Sequence, residues 1–438
     1  MLKRKFLSCV TQFLQRLYLA FDLFGRKGLA NHAAAGAYGF FLSAVPALMI
    51  LSFFIFRTIQ ASPETVAELI SGTGFFEGSV DIEGIIRSFL QAQRPGLSGV
   101  ISVLSIIWAA VIFASVLQRG LLTVFSNHET RVEKNPGPFG IFFVRVGIEA
   151  GFIIFTLAAM LNSEPAYKLL YILGFLPRRF PGLSRIVIVV ISSSTMMLLI
   201  YRAYRLVPRT SQNKKDAFFG MLVCIFLYLP VSFFLQFIMH PGRYSFLYGA
   251  LGNLIMFIVN MYFFFVFFFF GAEFANVSSC FAALFFGKFR KFDGLPAKKI
   301  NSPVYRLFNS PENPLAKYFR AYKKGDIVIK KNEKNRDVYY LRKGSVGVFL
   351  DEKAETENRE IAVITEGNFF GEMEYLSAKK RTAIIRANTD ITVIAFPPGI
   401  FSQILRLDPA ADMELVKTLS QRLKFANEQF LKAGAPQD

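Results

Sequence analysis

The sequence predicts an α-helical integral membrane bundle joined to a small cytosolic β-jelly-roll domain with flanking helices. Of its 438 residues 53% are hydrophobic and 51 are Phe, and long uncharged apolar runs fill the first 280 or so positions. After residue 316, short segments rich in β-branched and aromatic residues replace these runs. We therefore predict an amphipathic N-terminal segment, a membrane domain, a Lys- and Pro-rich linker and a β domain at 1–30, 31–286, 287–316 and 317–432.

The N-terminal segment has the pattern of a helix that lies on a membrane surface. Within residues 5–25, Phe13, Leu17 and Phe21 fall near one helical face, and basic residues cluster before them. Such a helix buries its apolar face among the lipid head groups. Much of the net charge of +19 likewise flanks the apolar runs, where Lys and Arg meet anionic lipids. Membrane lipids, and not nucleic acid, are therefore the predicted partners.

Six apolar stretches of the membrane domain are long enough to be transmembrane helices. A hydrocarbon core about 30 Å thick requires roughly 20 apolar residues in helical conformation. The predicted spans lie at about 33–56, 97–118, 139–162, 184–206, 217–239 and 248–277. Lys and Arg are more frequent before the first span, after spans two and four and after the sixth than in the other loops. This bias predicts that both termini are cytoplasmic.

Polar side chains within the spans are candidates for an intramembrane site, because they are costly in lipid and normally face protein or water. The candidates are Glu149, Asn253, Asn260 and Glu273. Arg145 precedes Glu149 by four residues, a spacing that allows the two to pair on one helical face. Asn253 and Asn260 are seven residues apart and share a face. The alternative for each candidate is a structural hydrogen bond between helices.

Four segments of the membrane domain resemble, in order, parts of one known family. They are AAAGAYGFFLSAVPALMIL at 33–51, IIWAAVIFASVLQRGL around Trp108, YRLVPRTSQNKKDAFFGMLV at 204–223 and YSFLYGALGNLIMFIVNMYFFFVFFFFGAEFANV at 244–277. Residues 5–285 thus resemble the YihY/virulence factor BrkB family of bacterial inner-membrane proteins, formerly labelled ribonuclease BN. The resemblance implies a multi-pass protein of the bacterial inner (plasma) membrane with a transport or envelope role.

The older ribonuclease label does not agree with the residues. Metal-dependent RNA cleavage needs a cluster of His and carboxylate ligands, whereas His32, His128 and His240 are far apart in the sequence. The cysteines, Cys9, Cys224 and Cys280, are not spaced as metal ligands. We therefore predict no catalytic residues, no metal site and no enzymatic activity.

The C-terminal part alternates short β-rich segments with turn residues, and then becomes helical. The strand candidates are DIVIKK, DVYYLRKG, SVGVFLD, REIAVIT and ITVIAFP. Their short, regular spacing is typical of a small β-barrel or jelly roll. From Pro398 onward, apolar residues at helical spacing predict two amphipathic helices.

Within this part, FFGEMEY at 369–375 and Arg381-Thr382-Ala383 resemble the phosphate-binding cassette of a cyclic nucleotide-binding domain. The resemblance covers about 316–432. It implies that Gly371 permits close approach of the backbone, that Glu372 accepts hydrogen bonds from the ribose 2′-hydroxyl, and that Arg381 pairs with the phosphate. The resemblance also places Met373 in the cassette helix and the Thr382 hydroxyl and Ala383 backbone near the phosphate.

Two positions bear on the ligand. Glu374 stands where the family usually has a small residue, and a second carboxylate weakens anion binding unless it points to solvent. Ile384 follows the Arg-x-Ala sequence, where family members that prefer cGMP often carry Thr or Ser; we therefore expect cAMP in preference to cGMP. A cyclic dinucleotide and a degenerate site are the alternatives.

The resemblances together lead to one functional hypothesis and one alternative. The hypothesis is an inner-membrane transporter or permeability factor, of unknown substrate, that cyclic nucleotide binding to the C-terminal domain regulates. The alternative is an envelope-organising membrane protein in which a degenerate cyclic-nucleotide fold serves as a docking module. A homo-oligomer is compatible with both, and the sequence leaves the oligomeric state open.

Overall fold

The chain folds into two compact units. The computed structural model describes residues 2–42, 112–113, 115–126, 181–206, 213–238, 250–292, 303–308, 313–350, 354, 356, 360–377 and 380–433. One unit consists of residues 20–279, and we call it the helical unit. The other, the β-roll unit, consists of residues 1–19 together with 280–438.

Apolar helices build the helical unit. Its described elements are the end of helix α1 (Leu2–Arg26), helical stretches at 29–42 and 115–125, and helices α2 (Pro181–Leu206), α3 (Lys214–Ile238) and α4 (Ala250–Ser279). Helices α3 and α4 cross closely at Gly220 and Gly271. A Cβ atom on Gly220 would lie 2.5 Å from the Gly271 carbonyl oxygen. Small residues allow two helix backbones to approach in this way, as is common in membrane proteins.

Two stretches among the described helices are long and apolar enough to cross a membrane, Lys214–Leu235 and Ile258–Ser279. They coincide with the fifth and sixth predicted spans. Helix α3 leaves Phe226, Phe233 and Phe237 at least 72% exposed, which suits a helix surrounded by lipid.

The other spans are less completely described. Helix α2 overlaps the predicted fourth span. Much of the first two spans and all of the third lie outside the described residues. The bundle of six spans therefore remains a prediction.

Two four-stranded antiparallel sheets form the core of the β-roll unit, with strand orders β1-β8-β3-β6 and β2-β7-β4-β5. The strands are β1 (Phe319–Tyr322), β2 (Ile327–Ile329), β3 (Val338–Lys343), β4 (Val346–Phe349), β5 (Ala362–Ile364), β6 (Phe369–Phe370), β7 (Ile384–Ala387) and β8 (Ile391–Phe396). Tyr339 and Leu341 of β3 alternate with Tyr340 and pack with Phe370 in one apolar cluster, as the period of two in a strand requires. The β-sheet fold predicted for the C-terminal part is confirmed.

Helices cover part of this β core. They are α5 (Phe281–Phe292), α6 (Pro303–Phe308), α7 (Glu372–Ser377), α8 (Pro398–Leu407) and α9 (Pro409–Ala433). Phe286 of α5 is fully buried, and its ring centroid lies 5.1 Å from that of Tyr340 and 4.9 Å from that of Phe396. The predicted linker at 287–316 thus contains helical residues, namely the end of α5 and all of α6.

The N-terminal helix contributes to both units. Helix α1 includes the stretch predicted at 5–25, and its residues as far as Leu19 belong to the β-roll unit. Within that unit, Gln15 Nε2 donates a hydrogen bond to the Leu307 carbonyl oxygen at 2.8 Å, and the Tyr18 ring meets Phe308 edge-on. Its location on a membrane surface stays a prediction.

Candidate functional site

The turn between β6 and α7 requires a glycine at position 371. Gly371 has φ of +75°, in the left-handed region that glycine adopts without steric cost. A Cβ atom at this position would also lie 2.9 Å from Nη1 of Arg381. Both the backbone conformation and the close approach of the arginine therefore explain the glycine.

Arg381 lies inside the protein and is held there by hydrogen bonds. Its side chain is among the largest that are fully buried, and the residue is 2% exposed. Nη1 donates to the Gly371 carbonyl oxygen at 2.8 Å and to Glu374 Oε2 at 3.0 Å, and Nη2 donates to the Asp337 carbonyl oxygen at 2.6 Å. A buried guanidinium needs such partners, because an unpaired charge in a protein interior is very costly.

The Glu374 carboxylate points inward, towards Arg381, and not to solvent. Glu374 is 5% exposed, and its Oε1 accepts hydrogen bonds from the Thr382 backbone N–H at 3.0 Å and from the Thr382 hydroxyl at 2.9 Å. Burial alone would raise the pKa of this carboxyl, but the hydrogen bonds from Thr382 and Arg381 outweigh burial and lower it. Glu374 is therefore ionised at neutral pH.

Glu372 is also buried, but only one of its carboxylate oxygens is paired. Oε1 forms an ion pair with Arg422 of α9, and Arg422 Nη2 lies 3.4 Å from the Phe369 carbonyl oxygen. Oε2 is buried and has no hydrogen-bond partner within the part of the chain that the structure describes. Burial raises the pKa of Glu372, and the neighbouring Arg422 opposes this rise. Sequence reasoning missed Arg422, which lies 50 residues away and has no local signal.

The remaining cassette residues lie at the edge of this cluster. Met373 is 52% exposed and Ala383 is half-buried. The hydroxyl of Thr382 bonds to Glu374, although the residue as a whole is exposed. The structure thus brings Arg381 and Thr382 together around the Glu374 carboxylate, with Gly371 bonded to Arg381 and Glu372 on the same short helix as Glu374.

Of the intramembrane candidates, Glu273 is the best described. It is fully buried in the helical unit, where Lys27 Nζ lies 3.0 Å from its carboxylate and Asn276 Nδ2 lies 2.8 Å from Oε1. Lys27 Nζ and Asn276 Nδ2 also donate to the Val124 carbonyl oxygen, at 2.6 and 3.0 Å. Glu273 therefore holds in place Lys27 and Asn276, the two side chains that donate to the Val124 carbonyl oxygen at the end of the helical stretch at 115–125.

Among the other candidates, the structure describes the side chain of Asn260. Asn260 Oδ1 lies 3.5 Å from the Tyr228 hydroxyl, which links α4 to α3. Glu149, its neighbour Arg145 and the side chain of Asn253 lie outside the described residues. No group of three or more His, Cys, Asp or Glu able to hold a metal ion occurs in the described ranges.

Comparison with known proteins defines the class of each unit. The family model for the cyclic nucleotide-binding domain matches residues 319–408, which include both sheets, the cassette and α8. The family model for virulence factor BrkB matches residues 20–280, more than half of the chain. The chain belongs to the virulence factor BrkB family and carries a C-terminal cyclic nucleotide-binding domain.

Several curated proteins are similar to the C-terminal part. The cAMP-activated global transcriptional regulator CRP of Salmonella typhimurium is 26% identical over 113 residues, which are 26% of this chain and 53% of that protein. The cGMP-dependent protein kinase egl-4 of Caenorhabditis elegans is 33% identical over 103 residues, 24% of this chain and 12% of the kinase. This chain thus spans about half the length of the regulator and a small part of the kinase.

The solved structures that match the chain include the Catabolite Activator Protein of Thermus thermophilus. It is 21% identical, with a TM-score of 0.24, and the match covers 32% of this chain and 61% of that one. The cAMP-bound structure of PfPKA-R is 22% identical, with a TM-score of 0.24, and the match covers 34% of this chain and 49% of the PfPKA-R chain.

Proposed function

We propose that this protein is a bacterial inner-membrane transporter or permeability factor whose helical unit is regulated by a cyclic nucleotide bound at the cassette. The observation that carries the proposal is the cluster of Gly371, Glu372, Arg381 and Thr382 in a domain of the cyclic nucleotide-binding class. A guanidinium and a hydroxyl suit a phosphate, since charge-assisted hydrogen bonds from arginine to phosphate are strong and directional. The Glu372 carboxylate suits a sugar hydroxyl.

Among cyclic nucleotides, we favour cAMP over cGMP. Ile384, the residue after Ala383, is a buried strand residue and offers no hydroxyl to the ligand. The similar proteins include one named as cAMP-activated and one named as cGMP-dependent, so both nucleotides belong in the binding experiment.

Regulation requires a path from the cassette to the helical unit, and helix α5 offers one. Helix α4 ends at Ser279 and α5 begins at Phe281, so one residue separates the last helix of the helical unit from α5. Within the β-roll unit, α5 packs on the sheet through Phe286 and bonds through Arg290 to Asp408 and Glu414. A ligand that favours one arrangement of α8 and α9 therefore also acts on α5.

The helical unit would then move or gate a small solute, an ion or a lipid across the membrane, with the β-roll unit in the cytoplasm. One observation favours the alternative, a docking module without ligand. The Glu374 carboxylate already accepts hydrogen bonds from Arg381 and Thr382. The donors expected to bind a phosphate are therefore paired within the protein, as a fold without a ligand requires.

Calorimetric titration distinguishes the two functions. cAMP and then cGMP are titrated into the full-length protein in detergent, alongside Arg381→Ala and the control Arg320→Ala. Arg320 is an exposed arginine that donates to the backbone carbonyls of Lys317 and Phe319 and lies outside the cassette. Saturable binding that Arg381→Ala abolishes and Arg320→Ala preserves supports regulation by nucleotide. Absence of binding to wild type, to Arg320→Ala and to Glu374→Ala and Glu374→Gln supports the docking module.

A further inference from the structure

We propose that Glu374 is an intramolecular competitor of the nucleotide phosphate. Its carboxylate occupies the anion subsite of the cassette and must leave before a phosphate can bind there. The inference rests on the proposed function and adds to it that the Glu374 side chain controls access of the phosphate to its subsite; we call this control the gate. Its basis is the set of donors that Glu374 uses, together with a second carboxylate that lacks a donor.

The donors around Glu374 form an anion site. Arg381 Nη1 lies 3.0 Å from Oε2, and the Thr382 N–H and hydroxyl lie 3.0 and 2.9 Å from Oε1. A guanidinium, a backbone N–H and a hydroxyl converge on the two oxygens of one anion, and a phosphate accepts hydrogen bonds from the same types of donor. Glu374 thus makes the contacts that a phosphate would need.

Two anions cannot share this subsite. Arg381 Nη1 and Nη2 already donate to Gly371, Glu374 and Asp337, and the residue is 2% exposed. Its Nε is buried and has no hydrogen-bond partner among the described residues, so the conflict between two anions here is one of charge. A phosphate beside an ionised Glu374 would place like charges together where little water screens them, which is strongly unfavourable. Binding of the nucleotide and retention of Glu374 are therefore mutually exclusive.

The cassette also contains a buried hydrogen-bond acceptor without a donor. Glu372 is 0% exposed, and its Oε2 has no hydrogen-bond partner among the described residues. A buried polar atom without a partner is unfavourable and rare. A ligand that carries both an anionic group and a hydroxyl would displace Glu374 and satisfy Glu372, and a cyclic nucleotide has both groups.

The position of Glu374 on a short helix makes its displacement local. Helix α7 has 6 residues, and its Met373 and Leu376 are each 52% exposed. The helix can therefore shift without breaking a strand ladder. The measured affinity of a nucleotide then equals its intrinsic affinity reduced by the fraction of molecules in which Glu374 has left.

The test compares nucleotide binding by full-length wild type, Glu374→Ala, Glu374→Gln and the control Glu366→Ala. Glu366 is an exposed carboxylate that also accepts a backbone N–H, from Gly344 at 2.8 Å, but lies outside the cassette. If Glu374 has left in about one molecule in ten to one in a hundred, Glu374→Ala will bind cAMP about 10- to 100-fold more tightly. The gain will be in the association rate, and Glu366→Ala will match wild type.

The outcomes separate this inference from the proposed function. If wild type binds and Glu374→Ala binds equally or more weakly, the gate is refuted and regulation by nucleotide stands. If neither wild type nor any Glu374 variant binds either nucleotide while all melt cooperatively, both ideas fail. If Glu374→Ala does not fold, Glu374→Gln decides the question, because it keeps the shape and removes the charge; affinity no higher than that of wild type overturns the gate.

Discussion

Arg290 Nη2 and Asp408 Oδ2 form an ion pair of 3.2 Å that ties helix α5 to the junction of α8 and α9. Asp408 also accepts the Ala410 N–H through Oδ1, at 3.2 Å, at the start of α9. One side chain thus stabilises the beginning of α9 and receives the arginine of α5. Because α9 also carries Arg422, which pairs with Glu372 of the cassette, this contact connects the ligand site to α5 through α9, in addition to the direct packing of Phe286 on Phe369.

We expect Arg290→Ala to destabilise the β-roll unit. Asp408 is 7% exposed, and removal of the donor leaves a buried carboxylate oxygen unpaired, at a cost of about 1.5–3 kcal/mol. Thermal unfolding of the full-length protein in detergent measures the change, and Arg320→Ala is the control, since an exposed substitution alters stability by about 0.5 kcal/mol or less. Equal melting temperatures for the two variants would show that the ion pair adds nothing.

Phe286→Ala should loosen α5 from the sheet. Phe286 is fully buried against Tyr340, Phe369 and Phe396, and truncation of such a side chain costs about 3–5 kcal/mol. Phe286→Leu keeps most of the apolar volume and should cost about 1.5 kcal/mol or less. Thermal unfolding of the full-length protein in detergent measures both losses. An alanine variant as stable as the leucine variant would contradict the prediction.

The pair of Lys27 and Glu273 is expected to be structural. Lys27→Met leaves Glu273 buried without its cation, and the removal of one partner of a buried ion pair costs about 3–5 kcal/mol. The double variant Lys27→Met with Glu273→Gln should lose less than the sum of the single losses, because neither member is then left unpaired. A double-mutant cycle by thermal unfolding measures the coupling, and strict additivity would argue against the pair.

Acidification should remove the stability that Glu374 contributes. Its pKa is lowered in the folded protein, so this contribution is fully present above the unfolded pKa of about 4.3 and is lost as the pH falls through the folded pKa. The difference in melting temperature between wild type and Glu374→Gln should be constant from about pH 5.5 to 7 and shrink below about pH 4.5. Glu372, whose raised pKa acts in the opposite sense, is present in both proteins and largely cancels. A difference that does not change with pH would show that the Glu374 charge is not what stabilises the cassette.

The sequence predicted features that depend on neighbouring residues. Alternating apolar residues predicted the β domain, Pro398 and the periodicity after it predicted the last two helices, and uncharged runs matched α3 and α4. The cassette was recognisable by its resemblance to the family because Gly371, Glu372 and Arg381 occur within eleven positions of one another.

Other features depend on contacts between distant residues, which local patterns do not encode. The pairing of Glu372 with Arg422 joins positions 50 residues apart, and that of Arg290 with Asp408 joins positions 118 apart. The direction of the Glu374 side chain depends on the burial of Arg381 beneath Gly371. The sequence identified Glu374 as unusual, and only the three-dimensional arrangement shows that it faces inward.

The most direct test of regulation is hydrogen–deuterium exchange of helix α5 in the full-length protein, with and without saturating cAMP. If nucleotide binding acts on the helix that leads to α4, exchange within Phe281–Phe292 will change in wild type and stay constant in Arg381→Ala. Exchange in α5 that is identical with and without bound nucleotide would contradict regulation through this helix.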